Sequence, residues 1–492
     1  MPLLPASPLP LVGFQAAPRT QADDLRAQRT ATHAHARNWF TLAIGSLVIA
    51  GLLSLAVVLG RLPVLSRIID DPLFFKRCLV VHVDLALVVW FYAFIAGLLA
   101  LRSRAETVNR IAALLATGGV VAMLAGALAR GAQPILANYI PVIDHPVFAA
   151  GLTAFGAGIM LQFVHAVAGA RAAHSSPFPV ATEVGLHAAA LLVLVAGATW
   201  VSARAGLPAG VDAYTSAEFL AWGPGHVLQA ANTAAMLAVW LWLLQRATHH
   251  ALFSARTATL VFGVLVLPQC VMPLLTARGT LDTLYHTGAT LLMRWAIFPT
   301  LVFVLVASIV HLVRHRREAA ATAPAGRLAR AGFIGSASLA VLGMVLGACI
   351  RSSTTLVPAH YHASLGAVTL AFMAAAYLVS ERMGNTAATP GPGLATRTWI
   401  AGRRQLAVFG IGQAVFALGF AIGGAYGLGR KAYAAEQHVR SAGELTGLIV
   451  MGVGGLVAVA GGLWFLFLLL REIRRWWASA ALSPSVRTSL QR

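Results

Sequence analysis

The sequence predicts an all-α membrane protein, a twelve-helix transmembrane bundle. Three observations carry that prediction. The 492 residues are 58% hydrophobic and only 11% charged, with mean hydropathy +0.77, whereas soluble domains carry about 25% charged residues. Apolar runs of roughly 20 residues, long enough to cross the hydrocarbon core, recur along almost the whole chain. Basic residues alternate between rich and poor connecting segments, as the two sides of a membrane demand.

The elements follow in order. Residues 1–37 are largely polar, rich in Pro, Ala and Arg, without the apolar core of a signal peptide, and are expected to form a disordered cytoplasmic tail. A single membrane domain is expected over 38–471, with spans near 38–60, 78–101, 109–130, 145–170, 182–202, 222–245, 254–275, 286–313, 331–350, 359–380, 404–426 and 442–471. Segments 318–328 (EAAATAPAGRL) and 384–398 (GNTAATPGPGLATRT) read as flexible inner loops, and 472–492 as a second cytoplasmic tail. The longer outer loops, 131–144, 203–221 and 427–441, are short on low-complexity sequence and are expected to be ordered.

With the N-terminus inside, and residues within a turn of a span end counted with the adjoining segment, 24 Lys and Arg fall in inner segments and 11 in outer ones, with Arg294 alone deep inside a span. That asymmetry orients both termini to the cytoplasm. It also explains the +20 net charge, which reports topology and attraction to anionic membrane lipid rather than nucleic-acid binding. Cys78, Cys270 and Cys349 are dispersed and form no CxxC motif, which leaves neither a disulfide scaffold nor a c-type haem attachment site.

Four histidines concentrate the chemistry: His82 in CLVVHVDLALVVWF, His226 in WGPGHVLQ, and His360 and His362 in LVPAHYHASLG. Each lies near the start of an even-numbered span, so all four share the outer side. A histidine inside hydrocarbon is expensive and functional by default, and neutral imidazole is a common haem ligand. Residues two apart on a helix project about 200° from one another. His360 and His362 therefore leave opposite faces, which suits two planar cofactors better than one shared metal. An interfacial pair bonded to headgroups would give the same HxH pattern. His82, at matching depth, can supply the opposite axial ligand to one of two haems. A bis-imidazole haem suits electron transfer, and a haem with one protein ligand keeps an open face. His226, behind Gly223-Pro224-Gly225, can approach that open face.

This order of residues resembles subunit I of the haem-copper oxidase superfamily over roughly 38–471. The family has twelve spans, a histidine in the second, one in the sixth after a Gly-rich turn, and HxH in the tenth. The resemblance implies a bundle of that subunit's type with two haems, their chemical type left open. His82 and His362 would ligate the low-spin haem and His360 the high-spin haem. His226 would stand where the first ligand of a second metal, copper or non-haem iron, stands. Arg430 and Lys431, between the last two spans, would neutralise haem propionates. A bacterial-type inner membrane, a cytochrome c or quinol electron donor and further oxidase-like subunits are implied with them.

Two departures set limits. The family's adjacent histidine pair in the seventh span should fall near 271–275, where this chain has Val271, Met272, Pro273, Leu274 and Leu275. The only adjacent pair, His249-His250, lies at the inner end of the sixth span, roughly 30 Å away by helix rise. Copper or non-haem iron is therefore doubtful; Cys270, Met272 and His286 are the available substitutes, the first two being soft ligands that favour Cu(I). Four residues after His226, where family members carry a tyrosine or a glutamate, this chain has Ala230. Arg294 calls for a carboxylate or propionate partner, and Asp84 for a role beside His82 or an arginine partner.

The expected function is a respiratory oxidoreductase subunit that passes electrons through a low-spin haem to a high-spin haem binding oxygen or nitric oxide. The alternative is a haem protein that has lost the dinuclear reaction and serves as an electron conduit or gas sensor. Only two lysines occur, Lys76 and Lys431, both in outer segments, and carboxylates such as Glu183 and Glu381 go no deeper than the inner span ends. Proton pumping is therefore not expected.

Overall fold

The computed structural model describes residues 21–60, 72–103, 105–170, 176–384, 396–430 and 439–481. Twelve helices among the described residues are long and apolar enough to cross a membrane, and they form the all-α membrane bundle that the sequence predicts. Spans 1 to 12 are His33–Val57, Leu73–Ala100, Glu106–Ala127, Pro146–Ala168, Val180–Ala205, Ala213–Thr248, Ala255–Thr276, Thr283–Arg314, Pro324–Ala348, Leu356–Met383, Thr396–Ala425 and Ala442–Arg474.

Several ends run further than expected. The first helix begins at Gln21, so 21–37 is helical rather than disordered. Its Ala, Arg, Gln and Leu residues are strong helix formers that extend the span. The last helix continues to Ala481, which makes 472–481 helical, not tail. Segment 318–328 is not a flexible loop: a short helix, Arg316–Ala321, leads into span 9, which starts at Pro324. Proline suits a first helical position because its missing N–H would have no partner there. Residues 1–20, 385–395 and 482–492 lie outside the described residues.

Burial orders the bundle. Spans 2, 6 and 10 are the interior helices: 67%, 72% and 83% of their apolar stretches are buried, against 50% or less in every other span. These three carry the four histidines. Around them, consecutive spans pair through small residues, which lets backbones approach where lipid offers no hydrophobic drive. Gly119 of span 3 and Gly151 of span 4 face each other so closely that a Cβ on either would lie 2.6 Å from the other's carbonyl oxygen.

The half of the bundle away from the four histidines is filled by rings and short polar ties. Trp90 and Phe94 pack on Phe372, and Trp90 on Phe465. Trp240 Nε1 donates to Ser336 Oγ at 2.8 Å, and that hydroxyl donates to the Ala367 carbonyl at 2.7 Å, joining spans 6, 9 and 10. Ion pairs Arg102–Glu183 (2.6 Å) and Arg246–Glu381 (3.1 Å) lie at the end of the bundle opposite the four histidines.

An antiparallel hairpin caps the end of the bundle that carries the four histidines. Strand β1 (Gln133–Ile135) pairs with β2 (Val142–Asp144), Gln133 opposite Asp144. Thr354, just before span 10, bridges to Gly429, just after span 11, and the Thr355 N–H donates to the Leu428 carbonyl at 2.9 Å.

Candidate haem-ligand layer

His82 precedes a break in helical register. Residues Asp84–Val89 form a π-helical turn inside span 2, a feature that recurs at functional sites because it re-aims side chains on an otherwise regular helix. His82 Nδ1 lies 2.9 Å from the Ala50 carbonyl of span 1. A carbonyl only accepts, so Nδ1 carries the proton and the lone pair of the neutral ring is on Nε2.

His360 is held in the same way: its Nδ1 donates to the Gly343 carbonyl of span 9 at 2.7 Å. Gly347, one turn further along that helix, leaves room for the ring, since a Cβ there would lie 2.6 Å from Nδ1. His362 leaves the other face of span 10. Its ring stacks on Phe420 (5.3 Å between centroids, 6° between planes) and meets the edge of Phe416 at 4.7 Å, both on span 11. The two histidines thus face different neighbours, as a 200° separation requires.

His82 and His362 stand at one height. Trp90, Phe91 and Phe94 of span 2 all touch Phe372 of span 10, at 6.2, 5.5 and 4.9 Å between centroids. Those three lie eight to twelve residues beyond His82, and Phe372 lies ten beyond His362. Both spans run in the same direction, so helix rise puts each imidazole roughly 15 Å above the shared contact.

The residues fit haem in one specific respect. A metal-bound imidazole characteristically donates its other N–H to a backbone carbonyl, which fixes the tautomer and the ring plane. His82 and His360 both do so, each with Nε2 as the remaining donor. Their rings, and that of His362, are only half-buried within two of the most enclosed spans. Asp84 is fully buried, and neither of its carboxyl oxygens has a hydrogen-bond partner. The arginine partner envisaged for it is absent among the described residues.

The second-metal donors do not converge. His226 Nδ1 donates to the Trp222 carbonyl at 2.8 Å, and Nε2 lies 3.0 Å from the Tyr139 hydroxyl. With the proton on Nδ1, Nε2 accepts from Tyr139, and both ring nitrogens are engaged. Cys270 is exposed, in a 3-10 turn (Leu267–Val271), with Sγ turned to its own helix at Val266 O. Pro268 and Pro273 account for that distortion, because neither can donate to the helical ladder. Met272 is fully buried beside Gly223, one turn before His226. His286 packs against Trp222 at 5.3 Å, but its Nε2 bonds to the Thr280 carbonyl at 3.0 Å. Two of the proposed substitutes stand near His226 and one does not, and the described residues form no closed set of donors around it.

Tyr139 had no signal in the sequence beyond its place in an outer loop expected to be ordered. It has φ +67°, a left-handed conformation that costs a bulky residue about 1–2 kcal/mol. The neighbouring Asn138 holds it there, its backbone N–H and Nδ2 donating to the two carboxylate oxygens of Glu218 at 2.9 and 2.8 Å. Gly225 supplies the space, because a Cβ there would overlap the Tyr139 ring. Burial pushes the Tyr139 phenol pKa up, Glu218 adds to the rise, and Arg430 opposes it.

Arg430 donates to Asn138 Oδ1 and lines a cavity of ≈ 390 Å³ with Asn138, Tyr214 and Ser353. It is thus a cation beside Asn138, on the polar lining of that cavity. Lys431 lies outside the described residues. Arg294 sits in a second π-helical turn, Met293–Ile297, exposed beside Trp295 and Leu291, which are 70% and 50% exposed. It faces outward and has no carboxylate partner among the described residues.

No model of a known protein family matches the chain. A protein of uncharacterized function from Aquifex aeolicus is 28% identical over 352 residues, covering 70% of this chain and 84% of its own. Another, from Rickettsia prowazekii, is 24% identical over 494 aligned residues, covering 88% and 94%. Among solved structures, the chain is similar to a heme-copper terminal oxidase determined as a dimer, with TM-score 0.69, 17% identity, and 90% of this chain and 84% of that chain covered. At that identity the likeness establishes a shared fold, the twelve-span bundle of the oxidase type.

Proposed function

We propose that the chain is a haem-binding subunit of a membrane oxidoreductase, with His82 and His362 as axial ligands of a low-spin haem and His360 as the single ligand of a second. The supporting observation is the paired orientation of His82 and His360, each with Nδ1 fixed on a neighbouring backbone carbonyl and Nε2 left to coordinate. Bound there, haem would supply one-electron transfer at the first site and an open axial position for oxygen or nitric oxide at the second. The protein's own residues would set the imidazole planes, and Arg430 would be the cation that meets a propionate. The fold shared with a terminal oxidase favours cytochrome c or quinol as donor and accompanying subunits as partners. The basic-residue asymmetry favours an inner membrane with both termini cytoplasmic.

Reduced-minus-oxidised spectra test the assignment. His82→Ala is expected to lose the low-spin bands and keep a high-spin haem that binds CO; a normal low-spin signal in that variant overturns it.

The engaged nitrogens of His226 favour a second reading, a haem protein without the dinuclear reaction that conducts electrons or senses a gas. Elemental analysis of the purified protein should then find no tightly held copper or non-haem iron. In reconstituted vesicles with reductant and mediator, oxygen consumption should be slow and without proton release beyond the scalar reaction. One tightly bound copper per chain, or rapid pumping turnover, removes this reading.

A further inference from the structure

At the opposite end of the bundle, span 6 and span 8 end on a cluster that the haem layer does not use. Span 6 stops at Thr248, and His249 reverses the chain with φ +64°. Thr248 holds the turn: its hydroxyl donates to the Leu244 carbonyl at 2.8 Å and accepts from the His250 N–H at 3.3 Å. Span 8 stops at Arg314, and His315 links it to the short helix Arg316–Ala321. Arg330 secures that helix by donating to the Ala319 carbonyl at 3.2 Å. The His250 and His315 rings stack, 4.2 Å apart and 23° between planes. One ligand atom from each of His250, His315 and Glu318 lies within 4.8 Å of the others.

We propose that His250, His315 and Glu318 form a divalent transition-metal site that ties the ends of spans 6 and 8 together. Metal–ligand distances of about 2.1 Å put tetrahedral donors about 3.4 Å apart. The ligand atoms lie within 4.8 Å of one another and the His250 and Glu318 side chains are exposed; binding would part the stacked rings so that each nitrogen lone pair, which lies in the ring plane, faces the ion. Two imidazoles and one carboxylate select zinc-class ions over Mg²⁺ or Ca²⁺, which take all-oxygen shells. The fourth position is left to water. His311 stands next to the cluster, 4.7 Å from the His315 ring, but its Nε2 is tied to Thr248 Oγ1 at 3.0 Å.

The test uses the full chain without a polyhistidine tag, freed of metal by a chelator. Zn²⁺ titrated against a chromophoric competitor should bind at one per chain and resist excess Mg²⁺. His315→Ala and Glu318→Gln should each weaken binding about tenfold or more, with helical content and elution unchanged. Cu²⁺ substitution gives a readout on the unaltered protein: its paramagnetic resonance should show two directly bound imidazole nitrogens. Undiminished stoichiometry in the His250→Ala/His315→Ala variant, displacement by Mg²⁺, or a Cu²⁺ spectrum with fewer than two such nitrogens overturns the site.

Discussion

The hydroxyl of Tyr285 is inserted into the backbone ladder of span 6 at Gly223. Gly223 N–H, which a regular helix would bond to the Phe219 carbonyl, donates instead to Tyr285 Oη at 2.8 Å, and Oη donates to that same carbonyl at 2.6 Å. Pro224 explains the opening, because its ring crowds the preceding turn and kinks the helix. Gly223 explains the fit, since a Cβ there would lie 2.6 Å from the Tyr285 ring. The Gly-Pro-Gly before His226 is thus a socket for two tyrosines, Tyr285 from span 8 and Tyr139 from the outer hairpin. Tyr139 bonds to His226 itself, and Tyr285 to the turn before it.

Tyr285→Phe removes that inserted hydroxyl and leaves a buried donor and acceptor to find new partners. The expected cost is about 1–3 kcal/mol, read as a lower thermal midpoint in detergent. An unchanged midpoint would show that the ladder recloses without penalty.

Gly347→Ala places a methyl group 2.6 Å from His360 Nδ1 and should push the ring off the Gly343 carbonyl. On the proposed assignment, CO binding should fall severalfold while the low-spin bands remain, because His82 and His362 are untouched. Equal loss of both signals, or loss of neither, would detach His360 from the gas-binding haem.

Tyr139 carries a pH dependence whose direction follows from its surroundings. Burial and Glu218 raise its pKa above the ordinary value of 10.0, so the folded state keeps the phenol proton that the unfolded chain gives up. Its contribution to stability is complete below about pH 10 and declines as pH rises beyond that. A tyrosinate absorbance titration, wild type minus Tyr139→Phe, should show no ionising phenol at pH 10. Ordinary titration near that value would mean that the hydroxyl does not reside against His226.

Span number, membrane class and the divergence of His360 and His362 were legible in the sequence because they depend on local quantities. Twenty apolar residues report a crossing wherever they fold, and an HxH pair diverges on any helix. The same locality hid the rest. Nothing near residue 139 states that a loop tyrosine meets a histidine 87 positions later, or that Tyr285 would enter a broken turn of another span. Cys270 and Met272 are neighbours in sequence, yet a proline-distorted 3-10 turn sends one outward and buries the other. The His249-His250 pair, remote from His82, His360 and His362, gains a partner only because span 8 ends beside span 6. Sequence by itself determined which helices form and which residues can ligate, since hydropathy and helical geometry act within a few turns. Tertiary structure decided which nitrogens are engaged and which polar atoms converge, since those follow from helix packing and hydrogen bonds between distant segments.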